Sequence, residues 1–185
     1  FLERLVFDEL LAQQLTIRLI KNKISHTQGM AIKRSNKFIK QLEENLDFNL
    51  TNDQLKTIDE ISNDQSKPNK MLRLLQGDVG SGKTIVALFA MVQCLENDKR
   101  SILMAPTEIL AEQHFNTIAK IINSMGLTCS LITSSTKESH NFNADILIGT
   151  HALFQEKVSF DNIGLVVIDE QHKFGVHQRI LLNEK

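Results

Sequence analysis

Apolar residues recur every three to four positions over the first third of the chain and gather into short unbroken runs over the rest. Phe7, Leu11, Leu15 and Leu19 stand four apart, which sets them on one stripe of a helix. A polar, basic stretch over residues 22–36, containing Gly29, interrupts that stripe and predicts a turn. Phe38, Ile39, Leu42 and Leu46 restore a helical pattern. A third helix opens at Thr51: a Thr followed three residues later by Gln54 is a capping box, and Leu55, Ile58 and Ile61 supply a buried face. Residues 63–69, with Pro68 and few apolar positions, predict a loop.

From Met71 the texture changes. Short apolar runs at 71–75, 101–105, 128–132, 145–148 and 165–168 alternate with helical patterns at 83–96 and 108–125. Buried strands alternating with helices predict βαβ units. The expected fold is therefore α/β, a mainly parallel sheet covered by helices on both faces and preceded by a helical arm. No internal repeat or low-complexity tract breaks the pattern.

Composition narrows the classes. The 185 residues suit one domain with a short appendage, and an apolar fraction of 42% suffices for a core. Lys plus Arg total 21 against 22 Asp plus Glu, which excludes a polycation but leaves local basic patches open. No apolar run approaches the roughly 20 residues that span a bilayer, so no membrane partner is expected. Cys94 and Cys129 lie too far apart for a disulfide framework or a metal-spaced pair, a usage that fits the cytoplasm. Residue 1 is Phe, and residues 179–185 read as a helix with no stop signal. The expectation is a piece of a longer protein.

Gly77-Asp78-Val79-Gly80-Ser81-Gly82-Lys83-Thr84 matches G-x-x-x-x-G-K-[ST], with an apolar run before it and a helical pattern after it. Glycines let the backbone curl so that its N–H groups point inward around phosphate oxygens, and the helix adds the positive end of its dipole. Lys83 would reach the β- and γ-phosphates, and the Thr84 hydroxyl would ligate Mg²⁺. A chance match in a chain of this length is on the order of one per cent, so an empty Gly-rich turn is the weaker reading.

Residues 165–168 lead into Asp169-Glu170-Gln171-His172, two carboxylates at the end of a buried strand. The C-terminal edge of a parallel sheet is where ligands bind in open α/β folds. Asp169 would hold Mg²⁺, and Glu170 would orient and deprotonate the attacking water. Such a pair alone is equally a solvated turn. With the phosphate loop upstream the functional reading prevails: with Lys83, the pair would serve a bound nucleotide.

These residues resemble a RecA-like helicase of superfamily 2. Asp169-Glu170-Gln171-His172 is similar to that group's D-E-x-H box, 104–114 (M-A-P-T-E-I-L-A-E-Q-H) to the motif after its second strand, and 148–153 (I-G-T-H-A-L) to the next. The combination, from about Phe48 to Arg179, closely resembles the RecG family of ATP-dependent DNA helicases that remodel branched DNA. The stretch before it looks like the linker helices joining that family's DNA-binding wedge to its motor. The implied division is 1–46, a helical arm, and 47–185, the first RecA-like ATP-binding domain.

The resemblance implies further roles. Gln54 matches the position that reads the adenine edge, beside its capping role, and Phe48 would stack on the base. Thr107 and Glu108, where a strand hands over to a helix, match a DNA-phosphate contact, with an ordinary N-cap as the plain alternative. Thr150 and His151 follow another strand end and match a second contact. Gln171 and His172 would couple nucleotide state to DNA; no second ligand stands at zinc spacing from His172. Ser134 stands where the family usually carries Gly.

The implied cofactors are ATP and Mg²⁺. The implied partners, in an intact protein of DNA recombination and repair, are branched double-stranded DNA (forks, Holliday junctions), a wedge domain and a second RecA-like domain with arginine fingers. The S/T-A-T-P segment and that second domain are not among these residues. The isolated piece is therefore expected to bind nucleotide weakly and to hydrolyse it barely, since an arginine finger contributes roughly 10³–10⁵ in rate. The alternatives are the first motor lobe of a transcription-repair coupling type translocase and a non-catalytic nucleotide-sensing module. A transporter ATPase would need a signature segment that the sequence lacks.

Overall fold

The computed structural model describes residues 27–135, 141–150 and 161–170, with Arg4, Leu11, Leu15 and Leu153 beside them. Helix α1 (Lys37–Glu44) buries Ile39 and Leu42. Its N-cap, Asn36, sits in the left-handed region and supplies no side-chain cap. The cap comes instead from Glu96: one carboxylate oxygen accepts the Ser35 and Asn36 N–H groups at 2.8 and 3.1 Å, the other those of Phe38 and Ile39 at 2.8 and 3.2 Å. A negative group at a helix N-terminus complements the dipole. Helix α2 (Asn52–Gln65) opens on the capping box expected at Thr51 and Gln54. It runs through Gln65, which is buried, so the loop expected from 63 begins at Ser66 instead.

Helix α3 (Lys83–Leu95) buries every residue from Leu88 to Leu95. A helix apolar all round belongs in the interior, and α3 packs between α1, α2 and the sheet. Strand β1 (Arg100–Met104), helix α4 (Glu108–Ser124) and strands β2 (Cys129–Ile132), β3 (Ile146–Gly149) and β4 (Ile163–Ile168) complete the order. The strands lie β2-β3-β1-β4, all parallel. Leu103, Ile146 and Ile148 join the helical core with Phe89, Ile118 and Ile122, whereas Ile102, Met104 and Leu147 pack on the other face with Ala144 and the helical residue Leu153. Both faces are thus buried, as the near-continuous apolar runs require.

The register matters for the site. Met104 pairs with Gly149 and with Ile168, and Ile132 with Gly149. The four strands therefore end level, and the residues that follow them emerge along one edge.

Two expectations need correction. The run 71–75 is not a strand: it joins no ladder among the described residues, and Leu74 is 76% exposed. An extended run without a neighbour leaves its backbone groups to solvent, whereas β1 and β3 are paired on both sides. The turn at Gly29 is tied more firmly than a surface loop. Gln28 bridges Asn69, the Gly29 N–H donates to the Pro68 carbonyl at 2.8 Å, and a Cβ at Gly29 would meet the Lys70 nitrogen at 2.7 Å. Of the first apolar stripe, Leu11 and Leu15 are helical and exposed, and Phe7 and Leu19 lie outside the described residues. No helix among the described residues is long and apolar enough to cross a membrane.

Candidate functional site

The phosphate-loop sequence forms a tight turn into α3. Gly80 and Gly82 both take φ of 81°, the left-handed conformation that glycine adopts at no steric cost. The Ser81 N–H closes on the Asp78 carbonyl at 3.2 Å, and Val79 is fully exposed at the tip. Gly82 is the N-cap of α3 and offers no side-chain cap. Lys83 folds across the turn, its Nζ donating to the Gly77 and Asp78 carbonyls at 2.9 and 2.8 Å. Thr84 follows it in the first turn of α3.

Gln54 joins this turn to α2. Its Oε1 accepts the Thr51 N–H at 2.9 Å, and its Nε2 donates to the Ser81 carbonyl at 2.9 Å. A Cβ at Gly82 would collide with that amide nitrogen, so the missing side chain at 82 is what lets Gln54 in. A pocket of about 320 Å³ is lined by Phe48, Leu50 and Leu55, the residue after Gln54, with Glu43, Leu46 and Asn49.

The other described candidate residues lie along the level edge of the sheet. Thr107 caps α4, its Oγ1 accepting the Leu110 N–H at 3.3 Å. The Glu108 carboxylate is held by the Ser135 hydroxyl at 2.9 Å and the Ser134 N–H at 3.1 Å, and these donors keep its carboxyl below the usual range. Glu108 thus ties the start of α4 to the turn after β2. Thr150 is only 2% exposed, so its hydroxyl sits beneath the surface rather than on it. His151, Gln171 and His172 lie outside the described residues.

Asp169 and Glu170 follow β4. The Asp169 N–H donates to the Met104 carbonyl at 2.9 Å, extending the β1 pairing by one residue. Its Oδ2 lies 2.8 Å from His114 Nε2. That hydrogen bond holds the carboxyl below the usual carboxylate range; burial opposes the shift, and the charges of His114 and Lys83 reinforce it. Helix α3, which begins at the phosphate-loop turn, packs against β1 and β4, so that turn and the residues that follow β4 stand on neighbouring elements. Glu170 takes φ of 50°, and the other described non-glycine residues with positive φ are Asn or Asp, which tolerate it better. For Glu the left-handed region costs roughly 1–2 kcal/mol, the kind of strain that collects at functional sites.

His114 was not singled out by the sequence reading, though a signal was present. Ala111, His114, Ile118 and Ile122 step by three and four along α4, and all but the His are buried apolar residues. A polar ring on a buried stripe needs a partner. For Mg²⁺, the donors on offer are the hard oxygens of Thr84 and Asp169. No cluster of three or more His, Cys, Asp or Glu that could cage a metal occurs among the described residues. That set fits Mg²⁺, which takes one or two protein oxygens and completes its shell with phosphate and water.

The chain is similar to known proteins over this same geometry. It is 42% identical to the ATP-dependent DNA helicase RecG of Aquifex aeolicus (strain VF5) over 192 aligned residues, 99% of this chain and 24% of that protein. It is 41% identical to the RecG of Bacillus subtilis (strain 168), over 98% of this chain and 28% of that protein. The chain therefore spans about a quarter of the length of these curated relatives. A solved structure of RecG bound to a three-way DNA junction superposes with a TM-score of 0.81 at 38% identity, covering 94% of this chain and 25% of that one. A hypothetical ATP-dependent RNA helicase from Sulfolobus tokodaii, at 21% identity and TM-score 0.57, shares the fold. The model of the DEAD/DEAH box helicases matches residues 51–184, so the chain belongs to the DEAD/DEAH box helicase family.

Proposed function

We propose that this chain is the first, ATP-binding motor lobe of a RecG-type helicase that acts on branched double-stranded DNA. The observation that carries the reading is the packing of α3, which opens on residues 77–84, against β4, which leads into Asp169 and Glu170, since phosphate loop and acidic pair must face one nucleotide. In this reading the phosphates lie in the turn 77–84 and displace Lys83 Nζ from the Gly77 and Asp78 carbonyls it now holds. The adenine enters the pocket beside Phe48 and takes the Gln54 amide over from Thr51 and Ser81. Bound Mg²⁺ would neutralise charge on the β- and γ-phosphate oxygens. Thr84 and Asp169 hold it, and Glu170 takes the proton of the attacking water.

The RecG whose structure resembles this chain is described on a three-way DNA junction, which supports branched DNA as the substrate class here. On this lobe the DNA phosphates would meet the start of α4. The Thr107 hydroxyl keeps its proton free to donate, because its oxygen is the acceptor towards Leu110. Glu108, an anion already engaged by Ser134 and Ser135, would act by fixing that turn and offering its backbone N–H, not by its carboxylate. The track would continue at His151 and at the backbone of Thr150, whose hydroxyl is buried. A second RecA-like domain supplies the arginines that complete catalysis, and a wedge domain selects the junction. The arm 1–46 links the wedge to the motor domain 47–185.

The test is a titration of a fluorescent ATP analogue with Mg²⁺ beside Lys83→Ala, and of a three-way junction against linear duplex at several salt concentrations. Expected are binding lost in Lys83→Ala and, in the intact protein, junction binding with a steep salt slope. Equal binding by parent and Lys83→Ala would sink the nucleotide site. Full-length Glu170→Gln should bind ATP and leave it uncleaved, and hydrolysis at the parental rate would remove Glu170 from its role.

A further inference from the structure

Asp169 is held from two sides. Its backbone is fixed by the end of β1 through the Met104 carbonyl at 2.9 Å, and its side chain by α4 through His114 at 2.8 Å. The contact joins residues 55 positions apart and is largely enclosed, with the His114 side chain 14% exposed and that of Asp169 29%. His114 stands on the inner stripe of α4, between the buried Ala111 and Ile118, and its side chain is mostly covered.

A carboxylate with a free χ1 and χ2 visits several orientations, and only some present an oxygen to a neighbouring cation. A ring nitrogen fixed on Oδ2 leaves Oδ1 with one direction. Donors that orient a metal-binding carboxylate from behind typically change metal affinity by about 10–100-fold when removed. An Nε2–H does this by donating to Oδ2, and the Glu170 N–H, which also hydrogen-bonds the carboxylate, helps to fix its plane.

We propose that His114 is a positioning residue, which holds the Asp169 carboxylate in the orientation that receives the Mg²⁺ of the bound nucleotide. The proposal rests on the reading of residues 77–84 and Asp169 as a nucleotide site. It assigns a task to a residue outside the phosphate loop and the acidic pair. It also gives α4 two jobs: its first turn holds the 134–135 turn through Glu108, and its second holds Asp169 through His114.

The test uses the full-length protein with a fluorescent ATP analogue, titrated with Mg²⁺ and also measured in excess EDTA. His114→Ala is compared with His114→Gln, whose amide nitrogen can take the place of Nε2 as donor. Mn²⁺ binding, followed by paramagnetic resonance in the presence of ADP, gives a readout independent of hydrolysis. Expected for His114→Ala is about tenfold more Mg²⁺ at the midpoint, a matching loss of Mn²⁺ affinity and unchanged affinity in EDTA; His114→Gln recovers most of both. Equal Mg²⁺ midpoints in parent and His114→Ala overturn the proposal. So does a parallel fall of affinity with and without Mg²⁺ in both variants, which marks a packing role alone. A parent that binds no nucleotide overturns the underlying site reading, and is told apart because it needs no variant to be seen.

Discussion

Gln54 Nε2 lies 2.9 Å from the Ser81 carbonyl while Gln54 Oε1 lies 2.9 Å from the Thr51 N–H, so one amide closes a helix cap and braces the phosphate loop. Glu in its place keeps the acceptor that caps α2 and puts a second oxygen against the Ser81 carbonyl. Gln54→Glu should therefore leave the unfolding midpoint within about 1 kcal/mol of the parent and loosen residues 78–84. Amide hydrogen exchange over the loop should speed up, and affinity for an ATP analogue should drop about tenfold, the loss of one hydrogen bond. Unchanged loop exchange would show that the brace contributes nothing.

The Glu96 carboxylate accepts four backbone N–H groups around the start of α1. Glu96→Ala should destabilise the chain by about 2–3 kcal/mol, the range for hydrogen bonds to a charged group. Glu96→Gln, which keeps one acceptor oxygen, should lose about half as much. Urea unfolding gives both numbers. A change below 0.5 kcal/mol in Glu96→Ala, as expected of an ordinary surface site, would mean that water replaces the cap at no cost.

Gly149 ends β3 against β2. A Cβ there would run into the Ile132 carbonyl and would also meet Leu153 at 3.0 Å. The clash is with the backbone of a neighbouring strand, which cannot rotate away. Gly149→Ala should cost about 2 kcal/mol or more by overpacking. Gly126→Ala, where nothing lies within 4 Å, should cost only the strain of its φ of 72°, about 1–2 kcal/mol. Thermal or urea unfolding of the pair tests the order, and Gly149→Ala as the milder of the two would contradict it.

Burial pushes the Cys94 thiol up to about 11 and the Cys129 thiol up to about 12. Both should resist iodoacetamide at pH 8 in the folded chain and react quickly in urea, because the thiolate is the nucleophile. The sign for stability follows. The folded state keeps its protons where the unfolded thiols, near 9, release theirs. The contribution is complete below about pH 9 and is lost as pH rises through about 11 to 12. Fast labelling at pH 8 without denaturant would show that the sheet edge at Cys129 opens.

Much of the candidate site's local structure was legible because its signals are local. The capping box spans four residues, the phosphate loop eight, and the acidic pair follows directly on an apolar run. Four of the five expected strands formed where the runs lie; the run 71–75 did not, because its composition says nothing about whether a neighbour is beside it. The same gap hid His114 and Glu96. Each reads as an ordinary helical residue until its partner is known, and the partners stand 55 and 57–61 positions away.

The sequence by itself therefore determined the elements and the α/β class and nominated the residues proposed to meet phosphate and Mg²⁺, since periodicity and short motifs are properties of neighbours along the chain. The tertiary structure decided the strand order β2-β3-β1-β4, the level edge where the strands end, and the pairs Gln54–Ser81, Glu96–α1, Glu108–Ser135 and His114–Asp169. Those depend on which faces meet when the sheet and helices bury their apolar sides together, and a residue pattern specifies a face without specifying what will lie against it.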